Sequence, residues 1–129
     1  MTSYPSDLRY DKEHEWIRVE GDVAVIGISD FAQDQLGEVV YVDLPAVGDT
    51  VTSGETFGEV ESVKSVSELF SPVSGEVVKV NDDLDGAPEA INEDAYGTGW
   101  MIEVKLADAS ELDGLMSSDE YQDFIASEA

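Results

Sequence analysis

The sequence predicts a mostly β protein: two pseudo-symmetric antiparallel sheets packed face to face, with short helices at the flanks. Three observations predict it. An internal repeat pairs "GEVVYV" at 37–42 with "GEVVKV" at 75–80, differing at one position. The apolar runs are short, valine-rich and bounded by Gly, Asp, Asn, Pro and Ser, the pattern of many short antiparallel strands. Helix signals are confined to stretches that flank the repeated region. Two copies are too few for a solenoid, which needs about three to bury a continuous core. They read instead as the two halves of a sandwich.

The elements follow in chain order. "EWIRVEGDVAVIGI" reads as a hairpin: Trp16, Ile17 and Val19 lead into a turn at Glu20-Gly21-Asp22, and Val23 to Ile28 return. "SDFAQDQLG" reads as a helix with Ser29 as N-cap, Asp30 in its first turn and Gly37 after its end; Phe31, Ala32 and Leu36 share a face. The first repeat unit runs from "GEVVYV" through the polar turn "VGDTV" at 47–51 to "ETFGEV" at 55–60. The second runs from "GEVVKV" through "VNDDL" at 80–84 to "GWMIEV" at 99–104, lengthened by the insertion "DGAPEAINEDAYG". Trp100 reads as core at the start of that last strand. "SELDGL" at 110–115 suggests a turn of helix. A C-terminal helix over about 117–126 follows, capped by Ser117 or Ser118, with Tyr121, Phe124 and Ile125 on one face.

Composition bounds the function. A chain of 129 residues with 42% apolar content suits a single domain over 1–129 with a real core. No stretch approaches a membrane span and no basic-then-apolar leader is seen, so the expectation is a soluble, cytoplasmic protein. The absence of cysteine excludes disulfides, thiolate metal sites and cysteine nucleophiles. A formal net charge of −24 argues against nucleic acid and anionic membranes as partners, because phosphate binding needs Lys and Arg. The acids are spread along the chain rather than gathered in a tail. That spread reads as a solvated, halophilic surface, suited to salt that screens charge over about 3 Å at 1 M; steering toward basic partners is the other reading.

Lysine is scarce, so "GEVESVKSVSELF" stands out. Lys64 lies almost midway between Gly54 and Gly75, where a hairpin turn would join the repeat units. Val60, Val63, Val66 and Leu69 recur every three residues, a spacing that drifts off a helical stripe, and β-branched and serine residues disfavour a helix. Two strands meeting near Val63-Lys64 fit better, although no Gly or Asn supplies a primed turn. The residues leave three roles for Lys64. It could be a surface charge paired with Glu61 or Glu68. A Schiff-base amine would need a lowered pKa, which those same carboxylates oppose. An exposed amine on a protruding turn also suits covalent modification, and acylation would make it a tether. His14, the lone histidine, cannot build a metal site or a nucleophile–base pair by itself, and reads as hydrogen-bonded packing beside Trp16.

The segment "GEVESVKSVSELFSPVSGEVVKVN" resembles the lipoyl-attachment segment of the glycine cleavage system H-protein family. The similarity extends over "HEWIRVEGDVAVIGISDFAQDQLGEVVYVDLPAVGDTV", "GWMIEV" and "SSDEYQDF", from about Tyr10 to Phe124. It implies a barrel-sandwich hybrid fold, a lipoyl/biotinyl-carrier-like pair of pseudo-symmetric sheets. It also implies lipoate in amide linkage to Lys64, with Glu61, Ser62, Val63 and Ser65 as flanking recognition residues. The family is a carrier and not an enzyme. Its implied partners are glycine decarboxylase with pyridoxal phosphate, aminomethyltransferase with tetrahydrofolate, dihydrolipoamide dehydrogenase, and a lipoate-attaching enzyme. By motif position, Glu15, Glu13 and Glu68 are implied in a cleft that holds the loaded arm, and Gln35 stands where many relatives carry histidine.

Other carriers compete with this reading. A biotin carrier usually flanks its lysine with methionines, where this chain has Val63 and Ser65. A lipoyl domain of a 2-oxoacid dehydrogenase complex lacks a "HEW" region. A relay protein that passes lipoate or octanoate to other complexes would share the same lysine.

Overall fold

The computed structural model describes residues 4–128. These residues form the strands β1 (Arg9–Tyr10), β2 (Glu15–Glu20), β3 (Val23–Ile28), β4 (Val39–Asp43), β5 (Thr50–Val51), β6 (Thr56–Ser62), β7 (Val66–Phe70), β8 (Gly75–Val80) and β9 (Ile102–Leu106). The helices are α1 (Asp30–Leu36), α2 (Ala90–Glu93) and α3 (Ser118–Glu128), with 3-10 turns at Asp82–Asp85 and Ala109–Gly114. One sheet runs in the order β1-β2-β3-β9-β8-β5 and the other in the order β4-β6-β7. All pairings are antiparallel.

The repeat is visible in three dimensions. Its first unit supplies the β4–β6 pair and its second the β8–β9 pair, one in each sheet. The ladders are interrupted at the same repeat position, between Val39 and Tyr41 in one and between Val77 and Lys79 in the other. Such a bulge puts two residues opposite one and kinks the strand. Val40 and Val78 are thereby turned outward, while Val39 and Val77 stay buried. The sheets differ in size because the β2–β3 hairpin joins the second unit through β3–β9 pairing.

Local signals explain the flanks. Glu20 pairs with Val23, so the turn is tight, and Gly21 takes the positive φ it needs. The Ser29 hydroxyl accepts from Ala32 N at 3.2 Å, and α1 ends at Gly37. Ser117 and Glu120 form a reciprocal capping box: Glu120 N donates to the Ser117 hydroxyl and Ser117 N to the Glu120 carboxylate. The predicted last strand starts late, at Ile102, because Gly99 is packed against the backbone of Ala90 and Ile91. Trp100 thus precedes the strand, half-buried, with Lys79 over its ring at 5.6 Å.

Two cores result. The larger lies between the sheets, where Ile17, Ile26, Val77 and Ile102 cluster with Val42, Val60 and Leu69. The smaller gathers Tyr10, Trp16 and Val25 with Tyr121 and Ile125 of α3. Trp16 anchors it by donating its indole N–H to Ala95 O at 2.9 Å. No described helix is long and apolar enough to cross a membrane.

Gly27 faces that indole so closely that a Cβ would stand 2.7 Å from three ring atoms. Gly27→Ala is expected to destabilise by about 1–3 kcal/mol through overpacking. Gly86→Ala, which enters open space, should stay within about 0.5 kcal/mol. Urea unfolding of both variants checks this; matched midpoints would refute the tight Trp16 contact.

Candidate lysine hairpin and adjoining groove

β6 and β7 form the hairpin expected between the units, with Lys64 in its turn. The last paired residues are Glu61 and Val66, and Ser62 N donates to Ser65 O at 2.8 Å. No positive-φ residue occupies the turn. Ser62 closes it instead. Its hydroxyl accepts from Ser65 N at 3.1 Å and from Lys64 N at 3.3 Å, and Ser62 itself is buried. A serine hydroxyl can satisfy turn amides in this way and remove the need for a primed turn. Val63 N donates to Glu38 O at 3.0 Å, which ties the tip to the start of β4.

Lys64 and Ser65 are exposed, and so is Val63, at 66%. Among the described residues Lys64 forms no ion pair, so the surface-charge role through Glu61 or Glu68 finds no pairing. Glu61 is half-buried across from Tyr41 and Val66. Gln35 stands exposed in the last turn of α1.

Glu68 lies opposite Glu59, which lies opposite Asp43, so three carboxylates form a row across the three-stranded sheet. Glu13 is exposed on a groove of about 460 Å³ near the other end of β7, lined also by Asp11, Lys12, Phe70, Ser71 and Glu111. Glu15 is buried at 1% exposure, so it is not one more solvated acid. Its Oε2 accepts from Phe70 N at 3.3 Å, and its Oε1 is buried with no hydrogen-bond partner among the described residues.

Asp11 is the residue that the motif did not single out. Its carboxylate accepts from Glu15 N at 2.9 Å and Glu13 N at 3.1 Å, which folds the β1–β2 loop and sets Glu15 in place. An acidic residue just before a tight "KEHE" loop was the available signal, since such side chains commonly cap their own turns. The same loop gives His14 a φ of +69°. The His14 ring packs against Phe31, and its Nδ1 is 2.8 Å from the Tyr121 hydroxyl, which lies 2.7 Å from the Ser29 hydroxyl. Histidine thus joins the loop to α1 and α3 rather than packing beside Trp16.

Burial, and then the neighbouring Asp11 carboxylate, hold Glu15 well above the ordinary carboxylate range. Burial also raises Asp11, partly offset by hydrogen bonding from Glu15 and Glu13. Glu15 therefore keeps its proton to higher pH when folded than when unfolded. Above the unfolded pKa the unfolded chain releases that proton first, so this group lowers stability as pH rises toward its folded pKa. Glu15→Gln should remove the penalty. We expect near-equal stability of the two proteins at pH 4 and a more stable variant at pH 7.5, because glutamine has no proton to lose on unfolding. Urea unfolding at both pH values tests this, and a variant no more stable at pH 7.5 would refute it.

Known proteins share this arrangement. The family model "Glycine cleavage H-protein" matches residues 8–128. A glycine cleavage system H protein from Halalkalibacterium halodurans is 56% identical over 128 residues, covering 99% of this chain and all of its own length. One from Anaeromyxobacter sp. (strain K) is 58% identical over 121 residues, covering 94% of each chain. The crystal structure of a glycine cleavage system H protein from Mycobacterium marinum superposes with a TM-score of 0.87 at 39% identity, covering 95% of this chain and 98% of that one. With a lysine hairpin at the junction of two repeat units and a family match over nearly its whole length, the chain belongs to the glycine cleavage H-protein family, whose members are lipoyl carriers and not catalysts.

Proposed function

We propose that Lys64 is the attachment point of lipoate, in amide linkage to Nζ. The observation that carries this reading is an exposed lysine, with no ion pair among the described residues, at the turn joining the two repeat units. The protein's own residues suit the group. The chain has no thiol to compete with a dithiolane. Ser62 fixes the turn through its side chain and leaves the lysine free of hydrogen-bonding duty. Glu61, Ser62, Val63 and Ser65 present the amine to a lipoate-attaching enzyme.

Lipoate held on Lys64 Nζ would supply a redox-active dithiolane to carry the aminomethyl group of glycine between the partner enzymes of the glycine cleavage system. Those partners would be glycine decarboxylase, aminomethyltransferase and dihydrolipoamide dehydrogenase. The groove lined by Asp11, Glu13 and Glu111 would shelter a loaded arm, with Glu15 as a further partner once it is ionised, because carboxylates bind a primary ammonium by charge-assisted hydrogen bonds. Glu68 and Gln35 would meet the arm nearer the hairpin. We place this carrier in the cytoplasm as a single domain.

Lys64→Arg keeps the charge and removes the acylable amine. We expect it to melt with the wild type and to reduce glycine cleavage in a reconstituted system to background. Peptide mass mapping of protein from its native cell should find lipoyl on Lys64; biotin there, or full activity of the arginine variant, would refute the assignment.

We further propose that the surface is adapted to high salt, as in a halophilic organism. The support is a net charge of −24 with the acids spread along the chain, so that self-repulsion in dilute buffer opposes the compact state. The urea midpoint should rise between 0.1 M and 2 M NaCl as screening shortens from about 10 Å toward 3 Å. An unchanged or falling midpoint would count against salt adaptation.

A further inference from the structure

We infer that Gly37 and Asn92 are positioning residues for Lys64, forming a seat that holds its side chain in one presentation. The inference rests on the reading of Lys64 as the attachment point.

Gly37 follows α1 with φ +82° and ψ −157°, a region open almost only to glycine. A Cβ at this residue would stand 3.2 Å from Lys64 Cε, and 3.8 Å from its Cδ and Nζ. The lysine stem therefore lies across the bare face of Gly37. The short segment from Gly37 to Val39 is itself gripped by one side chain. Asn92 donates to Gly37 O at 2.8 Å and to Gln33 Oε1 at 3.0 Å, and its own oxygen accepts from Val39 N at 2.8 Å. Between those two points, Glu38 O receives Val63 N from the hairpin tip. One asparagine thus fixes both ends of a seat whose first residue supports the lysine stem and whose middle carbonyl holds the turn.

Asn92 belongs to α2, within the insertion that makes the second repeat unit longer than the first. The insertion reaches across to the other sheet and braces the one turn that carries the lysine. Lysine is among the most flexible side chains, so limiting its rotamers presents the amine in a defined direction. Placement of a reacting group matters steeply: a misplacement of about 1 Å can cost about a hundredfold in rate.

The test uses the full chain with Gly37→Ala, Asn92→Ala and the control Gly48→Ala. Gly48 also has a positive φ, +98°, but nothing within 4 Å of its Cβ position, so it controls for a side chain at positive φ without touching the lysine. The first readout is carbon NMR of ε-¹³C-lysine, in which four lysines give few signals. The Lys64 signal should shift and gain mobility in the first two variants and stay unchanged in Gly48→Ala. The second readout is attachment by a lipoate–protein ligase with free lipoate and ATP, at equal folded fraction. We expect kcat/KM to fall about tenfold or more in Gly37→Ala and Asn92→Ala, and less than about twofold in Gly48→Ala. A Lys64 signal unmoved by Gly37→Ala, or equal slowing in all three variants, overturns the seat. A wild type that accepts no lipoate on Lys64 overturns the carrier reading and the positioning role with it, even if the NMR contact is seen.

Discussion

The burial of Val39 and Val77, matched residues of the two repeat units, is the constraint on which the rest depends. Each sits on the inward face of its sheet beside a bulge at the same repeat position. Side chains alternate along a strand, so a slip of one residue would turn every inward valine to solvent. The bulges absorb the extra residue locally and leave the inward face continuous. With that face fixed on both sheets, the main core closes between them, and β6 must leave it and return as β7. β6 and β7 both belong to the smaller sheet, and the turn that joins them at its end carries Lys64.

Electrostatics is organised around exceptions to a solvated surface. Most carboxylates stay exposed, at little cost beyond mutual repulsion. Glu15 is taken out of water beside Asp11, where a charged form is disfavoured. Structures keep such a group when surrounding contacts over-determine it, and here the Asp11 turn on one side and the Phe70 amide on the other do so. The carboxyl is thus held between the β1–β2 loop and β7, one oxygen bonded to the Phe70 amide and the other without a hydrogen-bond partner among the described residues.

Much of this was legible in the sequence. The β2–β3 hairpin, the caps of α1 and the repeat follow from local rules: alternating apolar residues, serine before a helix, glycine after it. The Lys64 turn was placed correctly but its geometry was not, because those rules look for glycine or asparagine while Ser62 closes the turn from its side chain. Glu15 was singled out by motif position alone; its burial depends on a backbone amide far along the chain, in β7, which no local pattern encodes. Asn92 was invisible for the same reason, since its partners lie in α1 and β4. The row of Glu68 with Glu59 and Asp43 across the smaller sheet was likewise invisible, because it depends on the pairing of strands far apart in sequence.

The outer strands carry one more consequence. β1 and β5, which end the larger sheet, are two residues long. β4, at one edge of the smaller sheet, is kinked at Val40, and Asn92 occupies its Val39 N–H. β7, at the other edge, carries Glu68. Short, bent or charged borders give a second copy no straight ladder of free amides and carbonyls to extend. Edge-to-edge growth into fibrils is disfavoured by such borders, and the net charge of −24 adds long-range repulsion between copies.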